Sequence, residues 1–480
     1  MSRMRQKVRS SVAWATLEGF VNILAAICMT LVVGRIIGPT EFGIAAIAWL
    51  VGTFAEIFVT TPFVDPLIQR RGLNKSAVNA AFTAMLAVGV LVYLILLGSA
   101  GFLARLYDKS GLVALLAVQG TTCLFAGMRG VPEAIMSRKL RFNQLAVRNI
   151  VAKIASAVVS LIAAMLGMGA WSVILGNVAY AFGTTAIVLS MTKRMPRFAF
   201  HMEHLARLSS FGIFVLLEAL LWGATPRLFS FFVGYFQGLQ ALGQLSIAFR
   251  MNDTVFSLIY VVANRLALPM LSRVAESTRR VEQTYVQGTK MVGLIVAPLF
   301  LGLALISREL ADVVLGPNWP LAAPSLMAVS LFSLLNSTRL VAQPTVKAVG
   351  RPSLLIGPDV IGLIYIAAGS FILRNAGFDA ALSVWISFGI IFVICSLRMV
   401  QNAIGTGWLT QLAPLAPAFF PSLGMCGVLL GLDMLHLGLP LLVMLVLKIA
   451  LGASTYLLLL VVLERPLLIQ LLSRSKPAAG

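Results

Sequence analysis

Lys and Arg crowd into every second connection between the long apolar stretches of this chain and nearly vanish from the others. One set of connections holds Arg3, Arg5, Lys7 and Arg9; Arg70, Arg71 and Lys75; Arg138, Lys139, Arg141 and Arg148; and Lys193, Arg194, Arg197 and Arg207. It continues with Arg273, Arg279, Arg280 and Lys290; Lys347 and Arg351; Arg398; and Arg465, Arg474 and Lys476. The intervening set holds only Arg35, Arg105, Lys109, Arg308 and Arg374, which makes 25 basic residues against 5. Such a bias in short loops sets the orientation of membrane spans, so both termini are expected in the cytoplasm and the number of spans must be even.

With 59% apolar and 11% charged residues in 480, an ordinary soluble domain is excluded, because about 25% of such a domain is charged. A spanning helix uses about 20 apolar residues. Fourteen segments qualify, near 12–34, 42–66, 77–104, 111–135, 146–167, 170–191, 210–235, 242–268, 287–307, 320–345, 353–373, 380–402, 411–432 and 439–463. The net charge of +20 is spread over many loops and forms no single basic patch, which argues for membrane topology and attraction to anionic lipid rather than a nucleic-acid partner. Cys28, Cys123, Cys395 and Cys426 lie within apolar spans without CxxC spacing, so neither a disulfide framework nor a metal site is expected. The first apolar run is too long for a signal-peptide core and is expected to be retained.

Two places 200 residues apart share a glycine pattern, Gly34-x3-Gly38-x4-Gly43 and Gly234-x3-Gly238-x4-Gly243, each ending one span and starting the next. Each is followed by a proline and, four residues on, an arginine: Pro66 with Arg70, and Pro269 with Arg273. The repeat unit contains an even number of spans, so its copies enter the membrane from the same side and form parallel repeats about an axis along the membrane normal. The expected fold is an all-α polytopic membrane protein with about 14 transmembrane helices in two six-helix lobes related by a pseudo-two-fold, plus two C-terminal helices. Residues 1–192 and 209–403 form the lobes, 193–208 a cytoplasmic linker whose tail at 201–208 is expected as a surface amphipathic helix, and 404–480 the last two spans and a cytoplasmic tail.

Nothing in the chain suggests an enzyme: no Walker-type loop, HExxH or GxSxG is present, and His201, His204 and His436 have no ligand cluster around them. No cofactor or metal is expected. Chemistry must come from charges within the spans, which are costly and face a cavity or a partner. The basic ones are Arg129, Lys153, Arg227, Arg250, Arg265, Arg339 and Lys448; the acidic ones are Glu18, Glu56, Asp65, Glu133, Glu218, Asp253 and Asp359. Arginine clamps phosphate through a planar fork that stays charged, so Arg227, Arg250, Arg265, Lys153 and Arg339 are the substrate-binding candidates for an anionic head group. Glu56, Asp65, Glu218 and Asp253 are the candidates for carrying a coupling ion. Alternatives remain open: Arg129 and Arg265 sit near expected cytoplasmic ends and are placed to snorkel, while Arg250 with Asp253 and Glu218 with Arg227 are spaced for structural pairing. Trp14, Trp49, Trp171, Trp319 and Trp408 fall near span ends, where interfacial anchoring is the ordinary role.

The stretch Arg35-Ile36-Ile37-Gly38-Pro39-Thr40-Glu41-Phe42-Gly43, then Leu67-Ile68-Gln69-Arg70-Arg71 and Val131-Pro132-Glu133-Ala134-Ile135-Met136-Ser137-Arg138-Lys139-Leu140-Arg141-Phe142, resembles a known family. The chain is similar to the Wzx-like polysaccharide-transporter flippases of the multidrug/oligosaccharidyl-lipid/polysaccharide (MOP) exporter superfamily, in the colanic-acid and exopolysaccharide branch. The resemblance continues through Gly167-Met168-Gly169-Ala170-Trp171 and Leu268-Pro269-Met270-Leu271-Ser272-Arg273. It implies a bacterial inner-membrane flippase that moves an undecaprenyl-pyrophosphate-linked oligosaccharide repeat unit to the periplasmic leaflet for surface polysaccharide, by alternating access coupled to an ion gradient. Membrane lipid, the polysaccharide polymerase and other export machinery are the partners implied. Two departures stand out: relatives usually carry an acidic residue near the position of Arg227, and a glycine-rich end to the second span where this chain has Thr60-Thr61-Pro62-Phe63-Val64-Asp65.

Alternative readings are a MATE-like cation or drug antiporter, against which arginines in the spans argue, and a peptidoglycan lipid-precursor flippase with similar charge logic. A membrane glycosyltransferase or polymerase would need long periplasmic loops bearing catalytic residues, and no such loop exceeds about a dozen residues.

Overall fold

The computed structural model describes the backbone of residues 32–69, 74–139, 141–192, 195–199, 202–273 and 277–463 with a few positions between 19 and 25, and their side chains except at 65, 69, 202–215, 258 and 260–273. Every described element is helical. Hydrocarbon offers no partner to a backbone N–H or C=O, so an apolar chain crossing it must satisfy those groups within each segment. Among the described residues twelve helical stretches are long and apolar enough to cross a membrane. The first expected span, 12–34, lies largely outside the described residues, as does Glu18.

Contacts divide the chain into two compact units, Met1–Arg250 and Met251–Gly480. The first contains α1 (Gly34–Gln69), α2 (Lys75–Leu106), α3 (Leu112–Arg138), α4 (Phe142–Met165), α5 (Ala170–Ser190), α6 (Met202–Phe236) and the start of α7 (Leu239–Arg273). Helix α2 starts at Asn74, whose side chain accepts a hydrogen bond from Ala77 N at 3.3 Å and so satisfies one of the orphan donors of the first turn. Small residues let the helices approach: Ser156 donates to the Gly176 carbonyl at 2.7 Å and Ser160 to the Ser172 carbonyl at 2.6 Å, which ties α4 to α5.

The glycine repeat has a structural counterpart. Gly38 has φ 77° and Gly238 has φ 90°, the left-handed region that glycine enters without a Cβ penalty. Each breaks the chain just before a long helix, which then begins at Pro39 or Leu239. The expected surface helix at 201–208 is instead continuous with a span, since α6 runs without a break from Met202 to Phe236. The reason is that no proline or glycine interrupts the backbone there before Gly212.

The second unit contains the rest of α7, then α8 (Thr278–Leu305), the short α9 (Ser307–Val314), α10 (Ala322–Asn336), α11 (Arg339–Ala348) and α12 (Ile356–Ile372). It ends with α13 (Phe378–Ile404), α14 (Trp408–Leu412), α15 (Ala416–Met434) and α16 (Leu441–Leu463). Helices α10 and α11 together make one span, Ala322–Ala348, interrupted by a turn at Ser337 and Thr338. Gly405, with φ 79°, ends α13 as its N–H bonds the Gln401 carbonyl at 2.8 Å. Trp319 is 2% exposed and therefore belongs to the protein interior, which corrects the expectation of an interfacial anchor there. Trp408 keeps 39% exposure and donates its indole N–H to Gln401 Oε1 at 2.9 Å.

Candidate functional site

Helix α1 presents Phe42, Trp49, Thr53 and Glu56 at intervals of seven, four and three residues, the spacing that lines one face of a helix. Two of the expected cations come to this face. The Arg250 guanidinium lies 4.7 Å from the Trp49 ring centre and 5.2 Å from that of Phe42. Arg227 lies 5.6 Å from the Phe54 ring centre, donates Nη1 to the Gly223 carbonyl at 2.7 Å and Nη2 to Thr53 Oγ1 at 3.4 Å. Thr53 passes its own proton back to the Trp49 carbonyl at 2.9 Å, which turns its lone pairs toward Arg227. A third cation, Lys153 of α4, sits 5.3 Å from the Tyr180 ring centre, close enough to Arg250 for the charge of one to act on the other.

Trp49 therefore serves as the platform for Arg250, a role that corrects its reading as an interfacial anchor. An aromatic face attracts a cation with its quadrupole and shields it from hydrocarbon, contributing about 0.5–2 kcal/mol. The N–H edge of a guanidinium lies in the plane of its own atoms, and this edge is what recognises a phosphate.

Beside Arg227 lies an apolar cavity of about 250 Å³, walled in part by Leu50, Phe54, Leu228 and Phe231. Tyr107, just beyond the end of α2, closes one side of it and donates its hydroxyl to the Phe231 carbonyl at 3.2 Å. Burial pushes the Tyr107 phenol above its ordinary range, so it remains a neutral donor. Arg227 is the charged group on the cavity wall among the described residues.

The other expected site residues are placed differently. Arg339 gives both terminal nitrogens to Asp359, at 2.5 and 3.1 Å, and stacks over Phe392 at 5.3 Å; both partners of the pair are buried in the second unit. This accounts for Arg339 as an internal ion pair. Glu56 is held by Arg129, 3.2 Å away. Glu218 is half-buried on α6, nine residues before Arg227, and Asp253 is exposed on α7. The side chains of Arg265 and Asp65 lie outside the described residues.

Three charges are placed otherwise than the sequence suggests. Arg148, counted there as a loop residue, is 4% exposed within α4 and bonds Glu133 at 3.0 Å. Arg129 does not snorkel, since Glu56 and Thr184 hold it inside the first unit. Glu309 of the short α9 meets Lys448 at 2.5 Å, with Asp433 2.6 Å from the same ammonium. A buried lysine on α16 was the signal that a carboxylate had to be found for it.

Residues 13–324 match the family described as polysaccharide biosynthesis protein. The chain belongs to that family. It is also 22% identical to the teichuronic acid biosynthesis protein TuaB of Bacillus subtilis (strain 168), over 96% of each chain. Among solved structures, the lipid II flippase MurJ in an inward closed conformation superposes with a TM-score of 0.74 at 12% identity, covering 95% of this chain and 99% of that one. An inward-facing multidrug resistance MATE transporter of the MOP superfamily gives a TM-score of 0.58 at 12% identity, over 86% of this chain and 95% of the other. The chain thus has the fold of the MOP superfamily and is a multi-pass membrane protein.

Proposed function

We propose that this protein is a flippase for undecaprenyl-pyrophosphate-linked oligosaccharide repeat units in surface polysaccharide biosynthesis, embedded in the bacterial inner membrane with both termini in the cytoplasm. The observation that carries the reading is the gathering of Arg227, Arg250 and Lys153 on aromatic and hydroxyl partners within the first unit. Cations concentrated inside a membrane protein favour an anionic guest, and a pyrophosphate matches the planar donor edge of arginine. Membership of a polysaccharide biosynthesis family supplies the sugar, and the fold shared with a lipid II flippase supports a lipid-linked substrate.

In this reading the lobes expected at 1–192 and 209–403 alternate in access about the linker 193–208, driven by an ion gradient. Glu56, Glu218, Asp253 and Asp65 are the acidic residues proposed for the coupling ion, and Arg265 joins the cationic set. An organic-cation antiporter would call for an acidic group open to its guest at the aromatic face of α1, whereas Glu56 there is already engaged by Arg129.

The test is a deletion strain whose lipid-linked repeat units are assayed by periplasm-restricted glycan labelling. Accumulation in the cytoplasmic leaflet, reversed by the wild-type gene and not by the inserted Arg227→Gln/Arg250→Gln double variant, is the expected result. Normal surface polysaccharide with altered drug or cation tolerance would overturn the flippase reading in favour of an antiporter.

A further inference from the structure

A second group of charges in the first unit joins α1, α3 and α4. Arg129 Nη2 lies 3.2 Å from Glu56 Oε2, its Nε lies 3.9 Å from Glu133 Oε2, and its Nη1 donates to Thr184 Oγ1 at 3.3 Å. The other oxygen of Glu133 accepts from Arg148 Nη2 at 3.0 Å, and Arg148 is braced by the Asn149 side chain. The carboxylates are the accessible members of the group: their side chains keep 22% and 32% exposure, against 16% for Arg129 and 5% for Arg148.

The Arg339–Asp359 pair provides a comparison within the same molecule. There both oxygens meet both terminal nitrogens, and the side chains are 6% and 1% exposed. That is the arrangement of an internal brace, matched in shape and sealed from solvent. Arg129 differs on each point. It meets Glu56 through one oxygen, meets Glu133 beyond hydrogen-bond distance, and both partners keep accessible surface. A guanidinium favours a bidentate oxyanion, and neither carboxylate provides one.

We infer that Arg129 is a phosphate-binding residue, and that Glu56 and Glu133 are its resident counter-ions, displaced when a phosphoryl group of the substrate lipid arrives. This rests on the flippase reading above and adds a residue that the sequence placed at the membrane interface. A bare arginine in a low-dielectric interior is strongly disfavoured, so an empty site needs a local anion. Carboxylates that keep accessible surface supply that charge and have room to turn away once a phosphate replaces them. Arg148 retains Glu133 after it parts from Arg129, so the exchange strands no buried charge. Competition also weakens substrate binding: the apparent affinity is the intrinsic one reduced by the fraction of Arg129 that is disengaged.

The sign of one substitution separates exchange from bracing. Full-length protein in lipid nanodiscs is titrated calorimetrically with farnesyl pyrophosphate and, separately, with inorganic pyrophosphate. Glu56→Gln removes the nearer competitor and is expected to tighten farnesyl pyrophosphate about tenfold, equivalent to about 1.4 kcal/mol. Glu133→Gln should give a smaller gain, and adding Arg129→Gln to Glu56→Gln should return the affinity to the wild-type value or below. An equal gain with inorganic pyrophosphate identifies the phosphoryl group itself as the determinant; a gain confined to the prenylated probe assigns the site to a lipid head group. If Glu56→Gln leaves affinity unchanged or weakens it, with a lowered melting temperature, the group is a brace and the inference fails although wild-type binding still supports flipping. Wild-type protein that binds neither probe also overturns it, and the labelling assay then decides separately whether flipping stands.

Discussion

Gly43 and Gly243 meet backbone to backbone, each placing its amide nitrogen where a side chain on the other would begin: a Cβ on Gly43 would lie 3.1 Å from Gly243 N, and one on Gly243 would lie 2.9 Å from Gly43 N. The reciprocity extends one turn back, where those same carbons would strike the carbonyl oxygens of Leu239 and Pro39. Every partner is displaced by 200 residues, so the repeat seen in the sequence is a self-complementary helix crossing between α1 and α7. Close backbone approach through small residues is how helices associate where lipid removes the hydrophobic drive between them.

Gly43→Ala and Gly243→Ala should each destabilise the protein by about 1–3 kcal/mol, because the obstructing atoms are backbone and cannot rotate away. Gly38 differs in cause: nothing lies within 4 Å of its hypothetical Cβ, so Gly38→Ala pays only the backbone strain of φ 77° with ψ 169°, about 1–3 kcal/mol, and no packing clash. Melting curves in detergent should show a clear loss for Gly43→Ala, and the double Gly43→Ala/Gly243→Ala variant should lose less than the sum, since both act on one contact.

The Arg339–Asp359 pair should behave as a brace. Removing one partner strands a charge, so Arg339→Met or Asp359→Leu alone should cost about 3–5 kcal/mol, while the two together should restore most of the loss. Thermal stability measures both parts. Flipping by the double variant then tests its role: retained transport places Arg339 outside the substrate path, and abolished transport in a folded double variant would return it to the cationic site.

Lys448, 1% exposed, is shared by a buried and an open carboxylate, Glu309 at 8% exposure and Asp433 with 42% of its side chain exposed. The two should be unequal. Lys448→Met leaves Glu309 buried without its cation and should cost about 3–5 kcal/mol. Asp433→Asn removes a solvated partner and should cost about 0–1 kcal/mol. Limited proteolysis of the α15–α16 hairpin reads the difference, with Lys448→Met cleaved early and Asp433→Asn cleaved like the wild type.

Hydropathy and loop charge were enough to expect the helical class and the spans, because a backbone in hydrocarbon has almost no alternative to a helix. The repeat was legible for a similar reason, as only glycine tolerates both the left-handed turn at Gly38 and Gly238 and the crossing at Gly43 and Gly243. The pairing of charges was not. Glu56 and Arg129 are 73 residues apart, and no local spacing reports that α1 and α3 adjoin. Arg148 follows the run Arg138-Lys139-Leu140-Arg141 closely enough to read as loop, although α4 has already begun at Phe142. Glu309 sits beside Arg308 in what hydropathy marks as a connection, and its burial arises only because α9 folds back against α16.

The partnership of Arg250 with Trp49 separates platform from anchor. If the indole serves Arg250, Trp49→Phe should keep most of the effect, since a benzene face also attracts a guanidinium, and Trp49→Ala should lose about 0.5–2 kcal/mol of binding to a prenyl pyrophosphate. An anchoring tryptophan would erase that difference, with Phe failing as Ala does because both lack the indole N–H that interfacial residues use. Arg250→Lys probes the other half: it keeps the charge but gives up the planar fork, so affinity for pyrophosphate should fall while melting temperature holds. Calorimetry on the three variants, alone and as the Trp49→Ala/Arg250→Lys pair, should show coupling between the positions. Strict additivity would mean that the ring and the guanidinium act independently, and Trp49 would then lose its role as the platform for Arg250.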